Sequence, residues 1–185
     1  PVELAGEEAV AFAGVAGPKM IAAGCAPWEH SESLAIMGLF EVLRHLPRLV
    51  RLRRGLVERL LAEPPALFIG IDAPEFNLGL AAKLHAAGIP TIQYVSPQVW
   101  AWRQGRVRKI AASVDRVLCL LPFEKQFYDN HAVKAVFVGH PLADEIPLEL
   151  DRHAARSVLG IAGEGACIAI LPGSRQGEVS RLGPD

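Results

Sequence analysis

Short, continuously apolar runs alternate with stretches of helical period along most of the chain. The runs at 11–15, 66–71, 91–95, 116–121, 135–138 and 166–171 read as strands. Their apolar residues are consecutive rather than alternating, the pattern expected of strands covered on both faces of a parallel sheet. Helices are predicted between them. The stretch from Asn77 to Ala87 ends at Gly88, a favourable C-cap, with Pro90 just beyond. Pro122 opens a helix that runs to about Asp129, at the first-turn position where proline is tolerated. Two further helices are expected at 103–112 and 150–159. Strand–helix–strand repetition at this spacing predicts right-handed βαβ units, and so an α/β fold with a doubly wound parallel sheet. The stretch 139–150 holds Pro141 and Pro147 and shows no period, so it reads as a linker before a second α/β unit that starts with the run at 166–171.

The segment from Met37 to Leu61 follows a different pattern. Leu49, Leu52, Leu56, Val57, Leu60 and Leu61 form an apolar stripe at helical spacing. Arg44, Arg48, Arg51, Arg53, Arg54 and Arg59 crowd the same stretch, and Pro47 is expected to separate a short helix from a longer one. One reading is a surface helix that covers the sheet and turns a solvated arginine face outward. The other is an interfacial patch, in which Leu39, Phe40, Val42, Leu43 and Leu46 enter a lipid boundary while Arg48, Arg51 and their neighbours meet anionic headgroups.

Composition narrows the classes. With 185 residues the chain is one full domain with part of a second, and it is long enough to bury a core without staples. An apolar content of 51% excludes a disordered chain, and no apolar run reaches membrane-spanning length. Nineteen basic against twenty acidic side chains give a net charge of −1, which offers no general reason to expect a nucleic-acid partner. Cys25, Cys119 and Cys167 are widely spaced and form no zinc pattern, so a reducing, cytoplasmic setting is expected. No metal and no cofactor is expected. The chain starts at Pro1 without an initiator methionine and stops soon after a strand and a glycine-rich turn, so it reads as a fragment.

Candidate chemistry gathers where predicted strands end, because open α/β sheets bind ligands outside the carboxyl ends of their strands. Asp72 ends the strand at 66–71 and stands just before a helix, where it either acts on a substrate or caps the turn. Asn77 either caps as well or meets a sugar hydroxyl. The next loop, from Ser96 to Arg103, carries Trp100 and Trp102, which either pack on the core or present a platform to a sugar or acyl chain. Arg103, at its end, opens a basic helix face with Arg106, Arg108 and Lys109 that is either solvated or, being close to the rim, accepts a phosphate. His140 follows the strand at 135–138 in a Gly-His-Pro turn. Gly173, Ser174 and Arg175 form a small-residue turn whose backbone N–H groups and guanidinium suit a diphosphate.

Taken together, several phrases are similar to those of one family. They are Val15-Ala16-Gly17-Pro18-Lys19-Met20, Met37-Gly38 with Glu41-Val42-Leu43, and Ile69-Gly70-Ile71-Asp72-Ala73-Pro74-Glu75-Phe76-Asn77. Tyr94-Val95-Ser96-Pro97, Val99-Trp100-Ala101-Trp102-Arg103, Leu121-Pro122-Phe123-Glu124-Lys125, Val138-Gly139-His140-Pro141 and Leu171-Pro172-Gly173-Ser174-Arg175 complete the set. In these the chain resembles the lipid-A-disaccharide synthases over nearly its whole length. The resemblance implies a GT-B architecture of two Rossmann-like domains facing a cleft, with residues 1–145 as an incomplete N-terminal domain and 146–185 as a linker and the start of the nucleotide-binding domain. It also implies a strand and a glycine-containing loop ahead of Pro1, and most of the second domain after Asp185.

The activity implied is an inverting transfer of 2,3-diacylglucosamine from UDP to 2,3-diacylglucosamine 1-phosphate (lipid X), as a step in building the Gram-negative outer membrane. Asp72 matches the family's candidate catalytic aspartate, and the leaving diphosphate falls to Arg175 without a metal. Partners implied are the two acylated sugars and the inner face of the cytoplasmic membrane, with homodimer formation left open. Two other readings stand beside it: a different GT-B sugar-nucleotide enzyme, and a non-catalytic flavodoxin-like nucleotide-binding module. The last expects a phosphate loop after the first strand, where Pro18 removes a donor.

Overall fold

The computed structural model describes residues 10–34, 39–101, 104–163, 165–173, 179–180 and 182–183, the side chains of 39–45 excepted. In chain order the elements are β1 (Ala13–Ala16), α1 (Pro18–Ala22), β2 (Ala26–His30), α2 (Leu39–Ala62), β3 (Phe68–Ile71), α3 (Pro74–Ala86) and β4 (Thr91–Tyr94). There follow α4 (Val107–Ala111), β5 (Arg116–Cys119), α5 (Pro122–Asp129), β6 (Ala135–Phe137), α6 (Pro141–Glu145) and α7 (Arg152–Val158). The expected α/β architecture with parallel strands is the one observed. Two units divide the chain, residues 1–137 and 138–185, and the expected boundary at 145/146 falls after α6, inside the second.

In the first unit β1 pairs with β2, and β3, β4, β5 and β6 pair side by side in sequence order, all parallel. Right-handed crossovers that step repeatedly in one direction place their helices on one face of the sheet. Burial follows that rule. Gly70, Thr91, Gln93, Val117 and Cys119 point inward and are buried. The opposite row, Ile71, Tyr94, Leu118 and Val136, lies in cross-strand register and is half-buried or exposed. The expectation of strands covered on both faces is therefore corrected for β3 to β6: one face is covered among the described residues.

Two apolar clusters hold the covered face. Leu78 and Ala81 of α3, Val107 and Ile110 of α4, Val117 and Cys119 of β5 and Tyr128 of α5 make the first. The second joins Leu56, Val57 and Leu60 of α2 to Leu80 and Leu84 of α3 and Ile89, with Val15 of β1, Trp28 of β2 and Phe68 of β3 packed against it. The α2 stripe read from the sequence thus faces the core at 56, 57 and 60, while Leu61 is exposed. The Arg59 guanidinium lies over the Trp28 ring at 3.9 Å, a cation–π contact that ties α2 to β2.

Local chemistry explains several boundaries, and corrects several expectations. Pro122 stands at the first helical position of α5, and the buried Glu124 carboxylate turns back to accept the Leu120 and Leu121 N–H groups at 3.1 and 3.0 Å. Helix α2 continues through Pro47 instead of breaking there. Pro47 is exposed, so water can take the carbonyl that loses its partner. Strand β2 was missed because Ala-Pro-Trp-Glu-His has no apolar run. Residues 166–171 form no strand: no neighbour pairs with them among the described residues, and Ile168, Ile170 and Leu171 are exposed. The expected linker contains α6, whose first turn is capped by His140 Nδ1 accepting the Leu142 N–H at 3.2 Å.

At the amino ends of β4 and β5, the Asp115 carboxylate accepts the Thr91 N–H at 2.7 Å and the Thr91 hydroxyl at 3.1 Å, with His85 Nδ1 of α3 at 3.3 Å. The Thr91 backbone N–H chiefly holds this carboxyl below its ordinary range, against the opposing effect of burial and with help from the Thr91 hydroxyl and His85. A lowered folded-state value means that this stabilisation is complete above the ordinary aspartate range near pH ~4 and is lost as pH falls through the folded value. Asp115→Ala is expected to cost about 1 kcal/mol at neutral pH, read by urea unfolding, with the difference from the parent shrinking in acid. A difference that stays constant down to pH ~2 would show that Asp115 contributes nothing through its charge.

Candidate active site

Strand β3 ends at Ile71, and the next residue, Asp72, continues the ladder by donating its N–H to the Tyr94 carbonyl at 2.9 Å. The chain then reverses sharply. Asp72 has φ +49° and Ala73 φ +37°, two left-handed residues in succession. Aspartate tolerates that region better than most residues, whereas for alanine it is a strained conformation. Pro74, at the first position of α3, restricts Ala73 further by disfavouring the right-handed alternative. The turn leaves the Asp72 side chain exposed at the carboxyl end of the sheet.

Buried amides stabilise this turn. Asn77 Nδ2 donates to the Ile71 carbonyl at 3.0 Å and to the Asp72 carbonyl at 2.8 Å. Gln93, from the middle of β4, brings its own amide nitrogen to the same Asp72 carbonyl at 3.0 Å, and to the Tyr94 and Val95 carbonyls at 3.1 and 3.4 Å. Gly70, the cross-strand partner of Gln93, leaves room for both. A Cβ there would lie 2.9 Å from Gln93 Oε1 and 3.0 Å from Asn77 Cβ.

The neighbouring loop is fixed as firmly. Val95 has φ +70°, a costly conformation for a β-branched residue. Beyond it the buried Ser96 hydroxyl donates to the Tyr128 hydroxyl at 3.3 Å, which in turn donates to the Pro97 carbonyl at 3.5 Å. Burial pushes the Tyr128 phenol up to about 12, so it stays a neutral donor. Trp100 packs edge-on against Phe123 of α5, with ring centroids 4.8 Å apart. Arg106, just ahead of α4, reaches back to Glu75 on the first turn of α3 at 2.6 Å. The Glu75 side of that pair is largely solvated, so the pair is worth under about 1 kcal/mol, but it links the two loops.

Of the residues expected at the site, Asp72 and Trp100 stand on these two adjacent loops, and Asn77 on the first turns of α3 beneath Asp72. The Asn77 amide nitrogen is spent on the Ile71 and Asp72 carbonyls, which is neither a cap of α3 nor a contact to a sugar hydroxyl. Trp100 packs on Phe123, a residue that is itself partly exposed on α5. His140 and Gly173 belong to the second unit, where His140 caps α6 and Gly173 is exposed with φ +145°. Trp102, Arg103, Ser174 and Arg175 lie outside the described residues, as do the side chains of Leu39, Phe40, Val42 and Leu43. Gln93 and Tyr128 were missed. The signal for Gln93 was present, since a glutamine inside Thr-Ile-Gln-Tyr-Val interrupts an otherwise apolar-looking strand.

Other chemistry is sparse. Among the described residues no three His, Cys, Asp or Glu side chains cluster as a metal site, and no helix is long and apolar enough to cross a membrane. Burial pushes the Cys119 thiol up to about 12, so it is not a nucleophile at neutral pH. Hollows of about 410 Å³ beside Arg108 and His131, and about 210 Å³ beside His85 and Asp115, both lie away from Asp72. The acid stands on an open rim.

Gly70→Ala tests the packing beneath that rim. The added methyl group meets two side chains already held by hydrogen bonds, so a loss of about 1–3 kcal/mol is expected in denaturant unfolding. Unchanged stability would mean that the two amides move aside freely.

Comparison with known proteins adds the lineage. The family model described as lipid-A-disaccharide synthetase matches residues 3–185. The lipid-A-disaccharide synthase of Alkalilimnicola ehrlichii is 58% identical over 172 residues, covering 92% of this chain and 45% of that protein. Its namesakes from Xanthomonas oryzae pv. oryzae and Chromohalobacter salexigens are each 55% identical, covering 93% and 94% of this chain but 40% and 45% of their own lengths. The chain therefore spans less than half the length of these relatives. With a match from residue 3 to residue 185, it belongs to the lipid-A-disaccharide synthetase family.

Proposed function

We propose that the full-length protein is an inverting glycosyltransferase of lipid A assembly. It transfers 2,3-diacylglucosamine from UDP to the 6-hydroxyl of lipid X, giving a β-1,6 disaccharide 1-phosphate and UDP. The observation that carries this reading is an exposed carboxylate, Asp72, on a rigidly held turn at the carboxyl end of a parallel sheet, in a chain of this family. In the reaction the acceptor oxygen forms a bond to the anomeric carbon as the bond from that carbon to the UDP oxygen breaks. UDP departs with the electron pair, and Asp72 takes the hydroxyl proton.

Other residues follow from the same reading. Asn77 and Trp100 shape the acceptor side, Arg103 and His140 contribute to substrate binding, and Gly173, Ser174 and Arg175 receive the diphosphate as a turn of backbone donors and a guanidinium. Residues 1–145 then belong to the first domain of a GT-B enzyme and 146–185 open the second, so the 185-residue segment by itself is inactive. In the full-length enzyme Asp72→Ala is expected to lower kcat by ~10²–10⁴-fold while folding and UDP-sugar binding persist. The isolated segment, given both acylated substrates, should form no disaccharide. Near-normal kcat in the variant would remove Asp72 from the chemistry, and turnover by the segment would refute its inactivity.

We further propose that α2 places the enzyme on the cytoplasmic face of the inner membrane, where its acylated substrates reside. Leu46 and Val50, one turn apart, are exposed, as are Arg48 and Arg51 on the same stretch of helix. That combination suits an apolar surface entering the acyl boundary under anionic headgroups, with Leu39, Phe40, Val42 and Leu43 continuing it. Replacing Leu39, Phe40, Leu43 and Leu46 by Ser or Gln should reduce sedimentation with anionic liposomes and leave the helical circular dichroism unchanged. Undiminished liposome binding, or unfolding of the variant, would assign these residues to the core.

A further inference from the structure

We infer that Gln93 is a positioning residue, which acts on the reaction only through the backbone that carries Asp72. The inference rests on the proposed role of Asp72 as the general base. Three of the four non-glycine residues with positive φ among the described residues, Asp72, Ala73 and Val95, sit on the two loops at the carboxyl ends of β3 and β4. Left-handed alanine and valine do not hold themselves in place, so something must over-determine them.

Gln93 is a buried side chain that touches both loops. Its amide nitrogen faces the Asp72 carbonyl from one loop and the Tyr94 and Val95 carbonyls from the other, at 3.0 to 3.4 Å. The side chain is fully buried, so water does not compete for these contacts. Its orientation is fixed by the same geometry, because turning the amide over would set Oε1 against three carbonyl oxygens. Oε1 itself is buried with no hydrogen-bond partner among the described residues, and it faces the space left by Gly70. A glutamine chosen merely to fill a core would have both ends satisfied or would be apolar. Here one end is left unsatisfied so that the other can gather three carbonyls. Asn77 grips the Asp72 carbonyl from α3, but it reaches only the first loop. Gln93 therefore sets the position of the Asp72 loop relative to the Ser96–Trp100 loop, and with it the height of the carboxylate above the rim.

The test is a double-mutant cycle in the full-length enzyme, with UDP-2,3-diacylglucosamine and lipid X as substrates. Gln93→Leu keeps the volume and removes the donor. It is expected to lower kcat by ~10–10²-fold, the effect of displacing a catalytic group by about an ångström, with the KM for the UDP-sugar within about twofold of the parent. In an Asp72→Ala background the same change is expected to alter the residual rate by less than about twofold, because the group it positions is gone. An equal loss in both backgrounds would show that Gln93 does not act through Asp72, and the inference falls. So it does if Gln93→Leu leaves kcat intact while Asp72→Ala abolishes it, an outcome that spares the proposed function. Full turnover by Asp72→Ala is the separate result that would overturn the proposed function.

Gln93→Glu keeps the test open should the leucine variant fail to fold. A neutral carboxyl retains one donor, whereas the carboxylate repels all three carbonyls. The ratio of its kcat to that of the parent should be highest in acid and fall as pH rises from about 5 to about 9, the span over which a buried glutamate ionises. A ratio that is flat with pH, at constant circular dichroism, would overturn the positioning role.

Discussion

Two side-chain amides, from Asn77 on α3 and Gln93 on β4, converge on a single carbonyl oxygen, that of Asp72. The rest of the first unit is arranged so that this convergence can occur. Gly70 clears the space, the cluster around Leu78 and Ala81 seats α3 against the sheet, and the parallel register sets Gly70 beside Gln93. Hydrogen bonds in a dry interior are stronger than their solvated equivalents, and an unpaired carbonyl there is correspondingly costly. The turn after β3 is thus held by desolvated contacts on its inner side while its outer side, with the carboxylate, faces water. Rigidity behind and solvent in front are what a group that accepts a proton from an incoming hydroxyl requires.

The second rim loop obeys the same logic with different groups. Its support comes from α5, through the Ser96–Tyr128–Pro97 chain and the edge-on packing of Trp100 on Phe123. Glu124 fixes where α5 begins, so a cap at the helix start indirectly places the tryptophan. Polar links inside the unit are few, and these serve the carboxyl ends of β4 and β5. At the opposite end of the sheet Asp115, Thr91 and His85 tie strand starts to the end of α3. The sheet is clamped at both ends, and its middle is held by hydrocarbon.

How much of this was legible beforehand depends on whether a feature is local. Strands β3 to β6 and helix α5 could be read because each is a compact apolar run or a proline-led start whose signal lies within the element. Strand β2 escaped because its membership in a sheet comes from pairing with β1 and packing against α2, not from its own Ala-Pro-Trp-Glu-His. The run at 166–171 misled for the converse reason, since apolar residues make a strand only where a neighbouring strand accepts their hydrogen bonds. Asp72 was legible as an acid at a strand end. Gln93 showed only as a polar interruption of an apolar-looking strand, because its importance is a matter of three carbonyls brought together from two loops, which no spacing along the chain reveals.

The row formed by Ile71, Tyr94, Leu118 and Val136 runs across the face of the larger sheet that is less covered among the described residues, and it ends at β6, where Phe137 is exposed. Three aliphatic side chains and a tyrosine in cross-strand register make a flat, largely apolar shelf, and β6 beside it is, among the described residues, a short edge strand with unspent backbone donors and acceptors. In solution a shelf of this kind favours contact with a like surface. Two molecules that meet there exclude water from both surfaces at once, so the colloidal behaviour of the isolated segment is set by its concentration as much as by its fold. A spectroscopic signature of intact secondary structure would then coexist with light scattering, and precipitation would report the less covered sheet face rather than misfolding.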